Sequence, residues 1–129
     1  MMIGSKIRAV IFDLGGVLID QPVAQIMRYC ADILRTDPQA LMRAHVKHAP
    51  DFQKGAIPER EYWRRVCSEV GAAEPDLFSL WGEAFCAAYA EREDIFSLVA
   101  RLRGLGYITG LLSDTEAPSV DFFLSRCCD

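Results

Sequence analysis

The chain has 129 residues, 51% of them apolar and 25% charged, with a formal net charge of −4. That is one domain's length with a globular composition, which excludes a disordered chain. An acidic balance offers no basic stripe to replace counterions, so no nucleic acid partner is expected; no apolar run approaches the roughly 18 residues of a membrane span, so no membrane is expected either.

Residues 7–12, IRAVIF, are short, apolar and rich in β-branched side chains. A strand buried on both faces of a parallel sheet has this pattern. The run stops abruptly at Asp13, and Gly15 and Gly16 follow at once. The period then becomes helical: Val23, Ile26, Met27, Cys30 and Leu34 share a face, with Pro22 in the first turn. Pro38 starts a second predicted helix reaching about His48, and DFQKGAIP, residues 51–58, reads as loop.

Pro58 opens a third helix striped by Trp63, Val66, Cys67 and Val70, with Gly71 as its stop. Leu77, Leu80, Trp81, Ala84, Phe85 and Ala88 mark a fourth, and Ile95, Leu98, Val99 and Leu102 a fifth that ends at Gly104 and Gly106. Tyr107 to Leu112 is again a short apolar strand, closed by Ser113 and Asp114. A last helix is predicted from Pro118 to about Arg126.

Two apolar strands joined through helices imply a parallel, right-handed crossover. One helix suffices for that connection, so the helical block reads as an insertion. The predicted class is α/β: a partial Rossmann-like parallel sheet (1–19 and 91–129) with an inserted α-helical cap (20–90).

Five cysteines, Cys30, Cys67, Cys86, Cys127 and Cys128, match no zinc or CxxC spacing. Three lie on apolar helical faces, where cysteine acts as a small hydrophobe. With no visible signal peptide, a reduced cytoplasm is the expected compartment.

Ligands of open α/β sheets sit beyond the carboxyl ends of the strands. Asp13 ends the first strand, and Ser113 and Asp114 end the second. A carboxylate there can be a nucleophile or a metal ligand. Gly15 and Gly16 would let the backbone approach an anion and turn N–H groups towards it. A Ser113 hydroxyl can donate to a phosphate oxygen. Together these form a cradle for a phosphoryl group, with Mg2+ offsetting the charge. Taken singly, each of these residues is equally at home in a turn or a helix cap.

VIFDLGGVLID, residues 10–20, resembles the first motif of the haloacid dehalogenase-like hydrolase superfamily, in which a hydrophobic strand ends in a nucleophilic Asp. ITGLLSDT, residues 108–115, resembles the second motif, a strand ending in Ser or Thr. Asp13 and Ser113 lie 100 positions apart, which fits the branches with a helical cap between these motifs. KGAIPEREYWRRVCSEVG, residues 54–71, resembles their cap segment.

The resemblance implies a Mg2+-dependent phosphatase acting on a small phosphorylated metabolite through an aspartyl-phosphate at Asp13. Asp13 and the Gly15 carbonyl would hold Mg2+. The amides of Leu14 and Gly15 would face the phosphoryl group, and Ser113 and the Asp114 amide would bind its oxygens. A halide or a phosphonate are alternative leaving groups on the same fold.

Two departures stand out. The superfamily's phosphatases usually carry a second Asp two residues after the nucleophile as general acid and base; here the position is Gly15. Losing a general acid or base costs roughly 10²- to 10⁴-fold. Some branches read FDLGG there, and Asp20 is a candidate substitute. The family's third motif, a Lys or Arg, and its fourth, an acidic pair, are also missing, so the resemblance implies an N-terminal fragment. A catalytically inactive chain acting as an interaction module is the alternative. A homodimer or a domain-swapped oligomer would then cover the open sheet edge. Tyr62, Trp63, His45, Lys47 and His48 are the cap side chains from which specificity could come, although most are expected in packing or in a solvated helix end.

Overall fold

The computed structural model describes residues 6–126. The element order is β1 (Ala9–Phe12), α1 (Val23–Leu34), α2 (Pro38–Gln53), α3 (Glu59–Val70), α4 (Leu80–Ala88), α5 (Glu93–Gly104), β2 (Ile108–Leu111) and α6 (Ala117–Arg126). Contacts divide the chain into two units. One takes the chain up to Pro22 with Tyr89–Ser113; the other takes Val23–Ala88 with the chain from Asp114 onwards.

The first unit holds the sheet. β1 and β2 pair in parallel, from Ala9 opposite Ile108 to Phe12 opposite Leu111. The ladder continues past both ends, with Ile108 N–H donating to Arg8 O and Leu112 N–H to Phe12 O, each at 2.9 Å. α5 leads into β2 and packs on it. Its first turn carries Glu93 and Asp94 and its last turn Arg101 and Arg103, the charge order that the helix dipole favours.

The expectation of strands buried on both faces is not met. Ile11 is 65% exposed, Ile108 69% and Leu112 73%. The apolar pattern is that of a central strand, but the described residues supply two strands and one packed helix, too few to cover both faces.

The second unit is helical. α1 packs on α2 and α4, α2 on α3, and α4 on α6. Its centre is aromatic. Phe52 and Tyr62 stack at 4.4 Å between ring centroids, and Trp81 meets both edge-on at 5.4 and 5.8 Å. Such pairs each add about 0.5–1.5 kcal/mol beyond area burial.

Two helices depart from their expected bounds and a third from its expected unit, each for a local reason. α2 runs past His48 and through Pro50 to Gln53, because burying Ala49 and Phe52 outweighs the one backbone bond that proline removes. α4 starts at Leu80 and not at Leu77: the Ser79 hydroxyl accepts the Gly82 N–H at 2.8 Å and caps the helix there. α6 falls with the helical unit and not with the sheet. Ser119 accepts the Trp81 indole N–H at 2.7 Å, and Phe122 meets Phe85 edge-on at 5.5 Å. Gly71 ends α3 as expected, at φ 72°. Cys30 and Cys67 are buried free thiols and Cys86 is half-buried; Cys127 and Cys128 lie outside the described residues. Among the described residues no helix is long and apolar enough to cross a membrane.

Candidate active site

The parallel register fixes where the two strands deliver their terminal residues. Phe12 and Leu111 are partners, so Asp13 and Ser113 leave the sheet at the same rim, one and two residues beyond the paired ends. Asp13 is exposed and Ser113 half-buried.

A tight turn follows Asp13. The Leu14 carbonyl accepts the N–H groups of Val17, Leu18 and Ile19 at 3.2, 2.9 and 3.1 Å, and Gly16 N–H donates to Ile19 O at 2.7 Å. Gly16 takes φ 79°, a conformation that costs a side-chain-bearing residue about 1–2 kcal/mol. Of the glycine pair, it is Gly16 whose backbone is left-handed. The turn is then strapped to the segment before α5. Asp20 N–H donates to Ala90 O at 2.9 Å and Arg92 N–H to Leu18 O at 2.8 Å. The Arg92 guanidinium donates to Gly16 O at 3.0 Å and lies 3.7 Å from Asp20 Oδ1.

Not every expected role is found in place. The Leu14 N–H, expected to face a phosphoryl group, donates to Asp13 Oδ1 at 2.7 Å. It therefore orients the carboxylate. Asp20, the candidate substitute for an acid at position 15, is drawn towards Arg92. Asp114 is the first residue of the helical unit's second segment and is exposed. Among the described residues no group of three or more His, Cys, Asp or Glu could hold a metal ion. Asp13 and a Gly15 carbonyl are two oxygens, and two oxygens do not make a Mg2+ site by themselves.

Sequence reasoning missed Arg92 and Gln21. A Cβ on Gly15 would lie 3.4 Å from Gln21 Nε2, 3.5 Å from Gln21 Oε1 and 3.6 Å from Pro22 Cδ. The missing side chain at position 15 is thus met by a carboxamide from further along the same loop. Arg92 is 76 residues from Gly16, beyond the reach of any motif. Gln21 is near in sequence, but a glutamine in a loop carries no spacing signal.

The candidate specificity residues of the helical block lie mostly in packing or paired positions, as expected of most of them. His45 is buried, not at a solvated helix end; its Nδ1 lies 2.7 Å from Tyr62 Oη and its ring stacks on Trp81. Burial holds its pKa below the ordinary value. Trp63 is buried with its indole N–H on Glu59 Oε2 at 2.8 Å. His48 and Lys47 both bind Glu69 Oε1, at 2.9 and 3.0 Å. Those two bonds, His48's first, hold the Glu69 carboxyl below the usual carboxylate range. A cavity of about 1170 Å³ opens in the helical unit, lined by Tyr29, Phe52, Ile57, Phe78 and Phe122 among others. None of its lining comes from the sheet unit.

No family model and no curated protein matches the chain. Solved structures do. A HAD-family enzyme from Bacteroides thetaiotaomicron superposes with a TM-score of 0.71 at 19% identity, over 95% of this chain and 60% of the enzyme. The same enzyme in complex with magnesium and inorganic phosphate gives 0.68 at 20% identity, over 93% of this chain and 59% of the enzyme. A predicted HAD-like family hydrolase from Porphyromonas gingivalis gives 0.55 at 24% identity, over 91% and 56%. The chain thus spans about 60% of the length of these structures, or slightly less. Over that span, the paired strands and helices are those of the haloacid dehalogenase-like (HAD) fold.

Proposed function

We propose that this chain carries the nucleophile side of a HAD-type phosphoryl-transfer site, acting on a small phosphorylated metabolite in a reducing compartment. The observation that carries the reading is the register: parallel pairing of Phe12 with Leu111 brings Asp13 and Ser113 to one rim. In this reading an Asp13 carboxylate oxygen attacks phosphorus. The Leu14 N–H on Oδ1 fixes the carboxylate's rotamer, and the Ser113 hydroxyl donates to a phosphoryl oxygen. The amides of Gly15 and Asp114 take further oxygens. The sheet unit acts as the catalytic core and the helical insertion as a cap. Mg2+ is the proposed counter-ion, and ligands besides Asp13 and Gly15 would have to complete its shell. The complex of the Bacteroides enzyme with magnesium and phosphate supports this choice.

The test is release of 4-nitrophenolate from 4-nitrophenyl phosphate in magnesium buffer, the first turnover included, by this chain and by Asp13→Asn. Turnover that vanishes in the variant supports the reading; equal turnover in both defeats it.

A second reading has its own support. Ile11, Ile108, Leu111 and Leu112 are apolar and exposed on or beside the strands, and such an edge pairs readily with another chain. A non-catalytic, self-associating module would give a concentration-dependent mass by light scattering, and replacing Ile11 and Ile108 with lysine would abolish it.

A further inference from the structure

Gly15 stands two residues after Asp13, and the nearest side-chain atoms to its empty Cβ position are the two polar atoms of one carboxamide, Gln21 Nε2 and Oε1. The next nearest is a proline carbon. Gln21 is exposed to solvent. Asp20, its neighbour, faces Arg92. The loop therefore presents an amide where a side chain at position 15 would begin, and the Asp20 carboxylate is drawn towards a guanidinium.

We propose that the Gln21 carboxamide replaces an acid–base side chain at position 15, and that the site accepts phosphoryl groups from donors whose leaving group departs without a proton. Acyl phosphates belong to that class. This rests on Asp13 being the nucleophile, as above.

The chemistry follows from what an amide can do. A primary amide donates and accepts hydrogen bonds and has no proton to give or take near neutral pH. When Asp13 attacks an acyl phosphate, one bond forms between its carboxylate oxygen and phosphorus. The bond between phosphorus and the acyl oxygen breaks, and its electron pair leaves on a carboxylate. No proton moves. An alkyl phosphate would expel an alkoxide, which needs a proton at the moment of departure, and Gln21 has none. The second half-reaction is slowed for the same reason. Water attacking the aspartyl-phosphate must lose a proton, and Gln21 can orient that water but cannot take it. The aspartyl-phosphate therefore accumulates.

Intact mass spectrometry of the chain in magnesium buffer reads this directly. Acetyl phosphate is expected to add one phosphoryl group at Asp13, and glycerol phosphate to add none. Gln21→Glu, nearly isosteric, places an acid where the amide was. It should shorten the lifetime of the adduct by roughly 10²-fold or more. Equal labelling by both donors, or an unchanged lifetime in Gln21→Glu, overturns this inference while leaving Asp13 as the nucleophile. No adduct from either donor in any variant, or an adduct that survives Asp13→Asn, overturns the phosphoryl-transfer reading itself and this inference with it.

Discussion

The Trp81 indole N–H donates to Ser119 Oγ at 2.7 Å, joining α4 to α6 across a fully buried contact. The same hydroxyl lies 3.5 Å from Glu116 Oε2, so Ser119 accepts from one partner and donates to the other. Ser119→Ala leaves a buried N–H without an acceptor, which costs about 1–3 kcal/mol. Urea unfolding should show that loss. Trp81→Phe combined with Ser119→Ala should cost less than the sum of the two changes, because the second then removes a bond that no longer exists.

Glu59 gathers three donors within the helical unit: Trp63 Nε1 and Trp81 N on Oε2, each at 2.8 Å, and Ser79 Oγ on Oε1 at 2.7 Å. Bonds to a charged acceptor contribute about 1.5–3 kcal/mol each and do not add fully. Glu59→Ala should therefore destabilise by at least about 2 kcal/mol in the same assay. Glu59→Gln, which keeps one acceptor oxygen, should lose distinctly less.

His45 predicts an acid-sensitive fold. Burial lowers its pKa from the ordinary 6.5, and Glu116 opposes the shift only in part. Below about pH 6.5 the unfolded chain takes up a proton that the folded chain refuses, so stability is full above that pH and falls beneath it. The loss levels off once pH passes the folded value. Glu61 acts lower down: its bonds to Arg64 and Arg65 hold it at about 2, against an ordinary 4.5, so its contribution fades between those values. Melting curves of His45→Phe should lose the upper limb of the pH profile and keep the lower one.

Thiol reactivity follows burial. Burial is the first cause that raises Cys30 to about 12 and Cys67 to about 11. Thiolate is the reactive form. Mapped alkylation at pH 7 should modify Cys86 in the native chain, and reach Cys30 and Cys67 only after denaturant is added. Prompt native labelling of Cys30 would contradict the packing of α1.

Much of the architecture was legible because each element carries its own periodicity. The two strands and their ends at Asp13 and Ser113 follow from apolar runs that stop sharply, and α3 from a stripe that Gly71 closes. Parallel pairing follows from the helices between the strands. Other features depend on contacts distant in sequence. Nothing near His45 announces that Tyr62 and Trp81 will enclose it. Nothing near Pro50 says that Phe52 will hold the helix together past a proline. In the site, motif spacing located the carboxylate and the hydroxyl, but not the Leu14 N–H turned back onto Asp13. Nor did it locate the Gln21 amide over Gly15. Both depend on the course of the loop from Asp13 to Gln21, which residue type alone does not determine.

The placement of α6 bears on how the molecule is made. Its docking site on α4, with Trp81 and Phe85, emerges from the ribosome well before Ala117 does. At about 5–20 residues per second, translation leaves that aromatic surface bare for on the order of seconds. α5 and β2 are synthesised in the interval, and they belong to the other unit. The helical unit thus closes last around a segment that arrives late, and nascent chains in which α4 has cleared the ribosome but Ala117 has not would be the ones that chaperones hold.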